Sequence, residues 1–158
     1  QTGARIKRVQ KYIGDEPFML TYGDGVSDVD LNALLAQHRA SKKLVTLTGV
    51  QPGGRFGVLD LDETGRTVSG FREKAKEDGG WINGGFMVMN PEVFDYLSVE
   101  ESCILERKPL ETLAQEGNLG IYKHPGFWQC MDTQRDRGRL EKLWNGGNAP
   151  WKVWEGSL

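Results

Sequence analysis

At 158 residues the chain has the length of one domain, since a typical domain holds about 150 residues, and this excludes a two-domain enzyme. Hydrophobic residues make up 38%, charged residues 27% and the net charge is −2, which fits a globular chain and excludes the basic footprint of a nucleic-acid-binding protein. No apolar stretch approaches the ~20 residues that cross a bilayer and no signal segment opens the sequence, so the expectation is a cytoplasmic protein with no membrane partner. Cys103 and Cys130 have neither disulfide-framework nor zinc spacing and read as free thiols.

In chain order, Thr2 reads as the N-cap of a short helix whose Ile6 and Val9 face inward, ended by Gly14. Phe18 to Tyr22 is a short apolar run that empties into Gly23-Asp24-Gly25, the pattern of a buried strand followed by a tight loop. The loop leads into a helix with Leu31, Leu34, Leu35 and His38 on one face, Asp28 and Asp30 at its N-terminal end and Arg39, Lys42 and Lys43 at the other, as the helix dipole favours. Leu44 to Val50 resumes as a strand, completing a βαβ unit and pointing to an α/β sheet.

The middle reads as antiparallel. Phe56 to Leu61 and Thr67 to Phe71 flank a loop of hairpin length, and Trp81 to Met89 is a strand apolar on both faces after Gly85, hence central. Pro91 starts a short helix, Leu110 to Gln115 is another that ends at Gly117, and Leu119 to Tyr122 is a strand. Thr133 caps a last helix whose Leu140, Leu143 and Trp144 face inward, closed by Gly146-Gly147.

Four segments carry groups suited to chemistry. Open α/β sheets bind ligands at the carboxyl ends of strands, where Asp24, flanked by Gly23 and Gly25, either holds Mg²⁺ beside substrate phosphates or forms a turn. Asp132 is a second carboxylate, or simply a helix cap beside Thr133. Glu73 and Lys74 end a strand, where the lysine can meet a phosphate and the glutamate a sugar hydroxyl, or both can be a solvated edge. Asn83 stands beside Gly84 and Gly85 in an otherwise apolar strand, either to donate to and accept from a sugar hydroxyl or to mark a β-bulge. The segment Gly53-Gly54-Arg55-Phe56-Gly57 lacks the Lys-Ser/Thr ending of a P-loop, His38 and His124 have no nucleophile at a useful spacing and read as structural, and Trp144, Trp151 and Trp154 suit either packing or a subunit contact.

The ordered strings Tyr22-Gly23-Asp24-Gly25, Gly54-Arg55-Phe56-Gly57, Phe71-Arg72-Glu73-Lys74, Ile82-Asn83-Gly84-Gly85-Phe86, His124-Pro125-Gly126-Phe127-Trp128 and Met131-Asp132-Thr133 resemble the sugar-1-phosphate nucleotidylyltransferases. Thr2 to Val9 and Ala149-Pro150-Trp151-Lys152 are similar to the glucose-1-phosphate cytidylyltransferase branch, which serves surface-sugar pathways. The resemblance implies a Rossmann-like nucleotidyltransferase fold with a mixed sheet and a Mg²⁺-dependent reaction of CTP with α-D-glucose 1-phosphate that gives CDP-glucose and pyrophosphate. It implies Asp24 and Asp132 as metal ligands, Tyr22, Gly23, Glu73, Lys74 and Asn83 as substrate-binding residues, and Asp24, Lys74 and Asp132 as the catalytic set. The chain departs from the family in Ala75, where Glu-Lys-Pro is usual, and in Cys130, where proline is expected. It also has no counterpart of the family's Gly-Thr-Arg nucleotide loop or its Pro-Lys-Pro segment. Residues 1–158 are therefore expected to be the C-terminal portion of a nucleotidylyltransferase domain, carrying the sugar and metal half of the site and associating as a homo-oligomer. The rival expectations are a transferase of another base, thymidylyl, uridylyl or guanylyl, and a non-catalytic sugar-phosphate-binding or assembly module.

Overall fold

The structure is a computed structural model that describes residues 1–51, 56–74 and 80–155, and of residues 56–58, 60 and 71–74 the backbone alone. Helix α1 (Thr2–Arg8) is capped by Gln1 without a side-chain bond. Thr2 lies one residue inside the helix, and its hydroxyl donates to Glu106 (2.7 Å) instead of capping. Ile6 and Ala4 are buried as the helical repeat requires, but the helix gives way at Val9 to a 3-10 turn (Gln10–Tyr12), so Val9 leaves the inner face and is exposed.

Strand β1 (Phe18–Leu20) is followed by a short strand β2 (Gly25–Ser27), helix α2 (Leu31–Ser41) and strand β3 (Val45–Val50). The carboxylate of Asp30 accepts from the Ala33 amide and caps α2, whose buried side is Leu34 and His38, while Leu31 is exposed. Strands β4 (Phe56–Leu61), β5 (Val68–Lys74) and β6 (Ile82–Met89), a 3-10 turn (Pro91–Tyr96), helix α3 (Lys108–Gln115), strands β7 (Leu119–Lys123) and β8 (Trp128–Cys130) and helix α4 (Gln134–Asn145) complete the chain.

The main sheet has the order β5-β4-β6-β3-β7, with β1 also paired to β6. Both β1 and β3 run antiparallel to β6 and meet it at the same residues, Met87 to Met89, so they lie on opposite edges of β6 and parallel to each other. The expected βαβ unit is present, but β6 is inserted between its two strands. The parallel pair within the sheet is β3 with β7. The hairpin of β4 and β5 folds back so that Thr67 bridges Gly120 and the Ile121 amide reaches the Arg66 carbonyl (3.4 Å). The sheet is mixed, as expected, and strongly rolled.

Alternation along β3 sends Val45 and Leu47 into one layer and Thr46 and Thr48 into the other. On the first face Leu47, Met87, Phe94, Leu105, Leu110, Leu113 and Ile121 form the core, each buried side chain contributing roughly 1.5–3 kcal/mol. On the second face α2 packs, and its buried His38 is held by Thr46 Oγ1 and Asn90 Oδ1, each at 2.8 Å, which accounts for a polar ring in that layer. Helix α4 differs from expectation. Thr133 does cap it, but none of its residues is buried, and Trp144, 44% exposed, stacks with Trp151 rather than entering the core. The helix carries too many charged residues around its girth for a core-facing stripe. No helix among the described residues is long and apolar enough to cross a membrane, and both cysteines are free.

Candidate functional site

Two three-residue strands build one half of the site. β2 and β8 form a separate antiparallel ribbon with Gly25 opposite Cys130, Val26 opposite Gln129 and Ser27 opposite Trp128. Beyond the Gly25 and Cys130 pair the Met131 amide donates to the Asp24 carbonyl (2.8 Å), so Asp24 and Asp132, far apart in the chain, come to adjacent strand ends. Both are exposed. Gly23 and Asp24 do form a turn, and that turn delivers the carboxylate to the start of β2. Asp132 is not the helix cap. Thr133 and Asp136 form a reciprocal capping box, which leaves the Asp132 carboxylate to the Cys130 thiol (3.5 Å) and to solvent.

The other end of the ribbon is fastened at the Phe127 carbonyl, which accepts from Ser27 Oγ (2.6 Å), from the Asp28 amide (3.4 Å) and from His124 Nε2 (3.1 Å). The same His124 nitrogen lies 2.8 Å from Asp28 Oδ1. His124 thus has a structural role, as the sequence suggested.

The second half of the site is a bulge in β6. Leu47 of β3 pairs with Met87 but Gly49 pairs with Asn83, so four steps along β6 match two along β3. Gly85 has φ +85°, and a Cβ there would lie 2.5 Å from Cδ2 of Tyr22, so the bulge is shaped around the tyrosine ring. Asn83 Oδ1 accepts from the Gly85 amide (2.9 Å), and Asn83 Nδ2 donates to Tyr22 Oη (3.3 Å). Tyr22 in turn donates to Glu106 Oε1 (2.5 Å), whose other oxygen takes the Thr2 hydroxyl. Burial and the neighbouring Glu106 charge push the Tyr22 phenol far above its ordinary value, so it stays a donor throughout the neutral range. Trp128 ties the two halves together, its indole N–H donating from β8 to the Gly84 carbonyl of the bulge (2.7 Å).

Glu73 and Lys74 end β5, opposite Gly57 and Phe56 of β4, and β4 meets β6 at the pair Val58 and Ile82. The backbone therefore brings the end of β5 toward the start of β6 across one intervening strand. The side chains of Glu73 and Lys74 lie outside the described residues, as do Gly53, Gly54, Arg55 and Ala75 altogether.

Sequence reasoning missed Glu106, Trp128 as a tie, and the pairing of Asp28 with His124. Glu106 sits in a run Glu-Arg-Lys that reads as a solvated loop, and only the fold brings it to Tyr22. Among the described residues no group of three or more His, Cys, Asp or Glu side chains gathers, and Asp24 and Asp132 are exposed carboxylates at adjoining strand ends. Two exposed carboxylates fit a Mg²⁺ ion, which keeps several waters and takes one or two protein carboxylates beside substrate phosphates. They do not fit a zinc centre. The Cys130 thiol beside Asp132 is pushed up to about 11 by burial and by the Asp132 charge, which keeps it protonated and a poor metal ligand near neutrality.

The profile of the nucleotidyl transferase family matches residues 2–146. Proteins named glucose-1-phosphate cytidylyltransferase from Salmonella typhi and Salmonella typhimurium are each 52% identical over 155 residues, 98% of this chain and 59% of their own length. The chain thus spans less than two thirds of these curated relatives. Among solved structures, HddC from Yersinia pseudotuberculosis superposes with a TM-score of 0.71 at 22% identity, over 87% of this chain and 60% of the other, a likeness of fold.

Proposed function

Because this chain belongs to the nucleotidyl transferase family, we propose that it carries the sugar-phosphate and metal half of a site that transfers a cytidylyl group from CTP to α-D-glucose 1-phosphate, giving CDP-glucose and pyrophosphate. The identity to glucose-1-phosphate cytidylyltransferases supports the choice of sugar and base. The observation that carries the reading is the β2 and β8 register, with the Met131 amide on the Asp24 carbonyl, which puts two carboxylates at neighbouring strand ends beside the Asn83 bulge.

In the transfer, a phosphate oxygen of the sugar phosphate bonds to the α-phosphorus of CTP and the bond from that phosphorus to the bridging oxygen of pyrophosphate breaks. No covalent enzyme intermediate is needed, and the protein must hold two anions in line. Asp24 and Asp132 are the residues that would hold Mg²⁺, which supplies positive charge against the phosphates as negative charge shifts to the leaving group. Lys74 offers a point charge for the sugar phosphate, and Glu73 an acceptor for a sugar hydroxyl. Asn83, with its amide partly free, meets a hydroxyl that both donates and accepts. Gly23 leaves backbone room beside Asp24, and Tyr22 braces Asn83 through its hydroxyl.

The reading extends to a homo-oligomer in the cytoplasm. Met19 on β1 is 49% exposed and Tyr12 75% exposed, apolar area that a neighbouring copy would cover, and sedimentation as a monomer would refute this.

Calorimetric titration of this chain with glucose 1-phosphate, with and without Mg²⁺, tests the assignment. Binding is expected to strengthen with the metal, and D24A and D132A are each expected to abolish that increment. An increment that survives both substitutions would sink the metal assignment. Titration with CTP in parallel separates a half-site from a complete one, because a sugar-phosphate-binding module without catalysis would bind the sugar phosphate and not the nucleotide.

A further inference from the structure

We infer that Glu106 is a positioning residue for sugar recognition: through Tyr22 it fixes which hydrogen-bonding atoms Asn83 presents to a sugar hydroxyl. The inference rests on the proposed role of Asn83 and deepens it.

The argument is one of direction. A carboxylate only accepts hydrogen bonds. The Thr2 hydroxyl already accepts from the Leu105 amide (2.9 Å) and has its proton free for Glu106 Oε2 (2.7 Å). Glu106 Oε1 takes the Tyr22 proton (2.5 Å), which leaves the phenol oxygen with lone pairs alone. Asn83 can then meet it only as a donor, through Nδ2 (3.3 Å). At the other end the Gly85 amide is a fixed donor and requires the Asn83 oxygen (2.9 Å). Both ends of the chain of bonds therefore demand the same amide orientation.

What remains outward on Asn83 is one N–H and one lone pair, the pair that recognises a single hydroxyl as both acceptor and donor. Without the carboxylate the phenol proton is released to rotate toward Asn83, and the amide loses one of its two constraints. The ligand chemistry this fits is a neutral hydroxyl on the ring of a sugar phosphate, distinct from its phosphate.

The test uses the full chain and measures affinity for glucose 1-phosphate, for its 2-, 3-, 4- and 6-deoxy analogues and for inorganic phosphate. Wild type is expected to bind one deoxy analogue at least about tenfold more weakly than the parent sugar, the discrimination that one hydroxyl seen by a polar group provides. E106A is expected to reduce that ratio at least about threefold while leaving inorganic phosphate affinity within about twofold, and Y22F is expected to reduce the ratio likewise. E106Q, which keeps one acceptor for Tyr22, is expected to restore part of the ratio. Should E106A fail to fold by circular dichroism, Y22F decides alone, since it keeps the ring against Gly85. A folded E106A or Y22F with undiminished deoxy discrimination overturns the inference and leaves the functional proposal standing. A wild-type chain that binds no glucose 1-phosphate overturns the functional proposal itself, and the inference with it.

Discussion

His124 and Asp28, 96 positions apart in the chain, meet with Nε2 2.8 Å from Oδ1 at the root of the β2 and β8 ribbon. The histidine is 7% exposed and the aspartate 32%, so water reaches the aspartate side of the pair and not the histidine side. The ribbon itself has three paired residues on each strand, too few to hold a register by main-chain bonds alone. H124A is therefore expected to cost about 0.5–1.5 kcal/mol in urea denaturation, the net worth of an intramolecular hydrogen bond whose other partner water can still reach. It should also speed amide exchange at Met131, whose N–H reaches Asp24 at the far end of the ribbon. Unchanged exchange at Met131 would show that the ribbon keeps its register without the pair.

Two glycines of the site are predicted to behave in opposite ways. An alanine at Gly85 combines φ +85° with a Cβ 2.5 Å from the Tyr22 ring, so G85A is expected to lose at least about 2 kcal/mol and to displace Tyr22. A Cβ at Gly23 meets nothing within 4 Å, so G23A is expected to keep its stability within about 0.5 kcal/mol. If a ligand approaches the Gly23 backbone, G23A nonetheless weakens glucose 1-phosphate binding. Chemical denaturation and calorimetry on the same two variants separate fold from site, and normal affinity in G23A would remove Gly23 from the binding set.

Cys130 is predicted to be a slow thiol. Burial first, and then the Asp132 charge, push it up to about 11 from a reference of 9.0, which lowers its thiolate fraction at pH 8 about 100-fold relative to the unfolded chain. Alkylation by iodoacetamide followed by peptide mass analysis should show Cys130 labelled far more slowly in the native chain than in denaturant. D132N removes the negative neighbour and is expected to accelerate native labelling, though not to the denatured rate, because burial remains. Equal rates in wild type and D132N would mean that the Asp132 charge does not reach the thiol.

The sequence made the large elements legible because their signals are local. Asp30 with Leu34 and His38 marks α2, the apolar run to Met89 marks the central β6, and Thr133 marks the start of α4. The strands β2 and β8 left no such trace, since three residues give no period and their pairing depends on a chain reversal remote in sequence. The expected βαβ unit was found with β6 inserted, because strand order is a property of long-range pairing that alternation does not encode. Asn83 could be read either as a ligand or as a bulge marker, and it stands in a bulge with its amide aimed at Tyr22. Glu106 was invisible for the plainest reason: its partners Thr2 and Tyr22 lie 104 and 84 positions away.

The start of α4 carries a pH dependence whose sign follows from its capping box. The Asp136 carboxylate accepts from the Thr133 hydroxyl and from the Thr133 and Asp132 amides, and these bonds, the Thr133 hydroxyl first, hold it below the reference value of 3.8. A carboxyl that ionises more readily in the folded state contributes stability above the unfolded value, and that contribution fades as pH falls through 3.8 toward the lower folded value. The stability difference between wild type and D136A is therefore expected to be constant from pH 7 to about 5 and to shrink below about 4. T133A, which removes the reciprocal cap and with it the first of the bonds that hold Asp136 down, is expected to cost about 1 kcal/mol at neutral pH. Urea melts of the three proteins across pH 3 to 7 check both statements. A wild-type to D136A difference that grew on acidification would mean that the box is held by the protonated carboxyl and that the direction assigned to Asp136 is wrong.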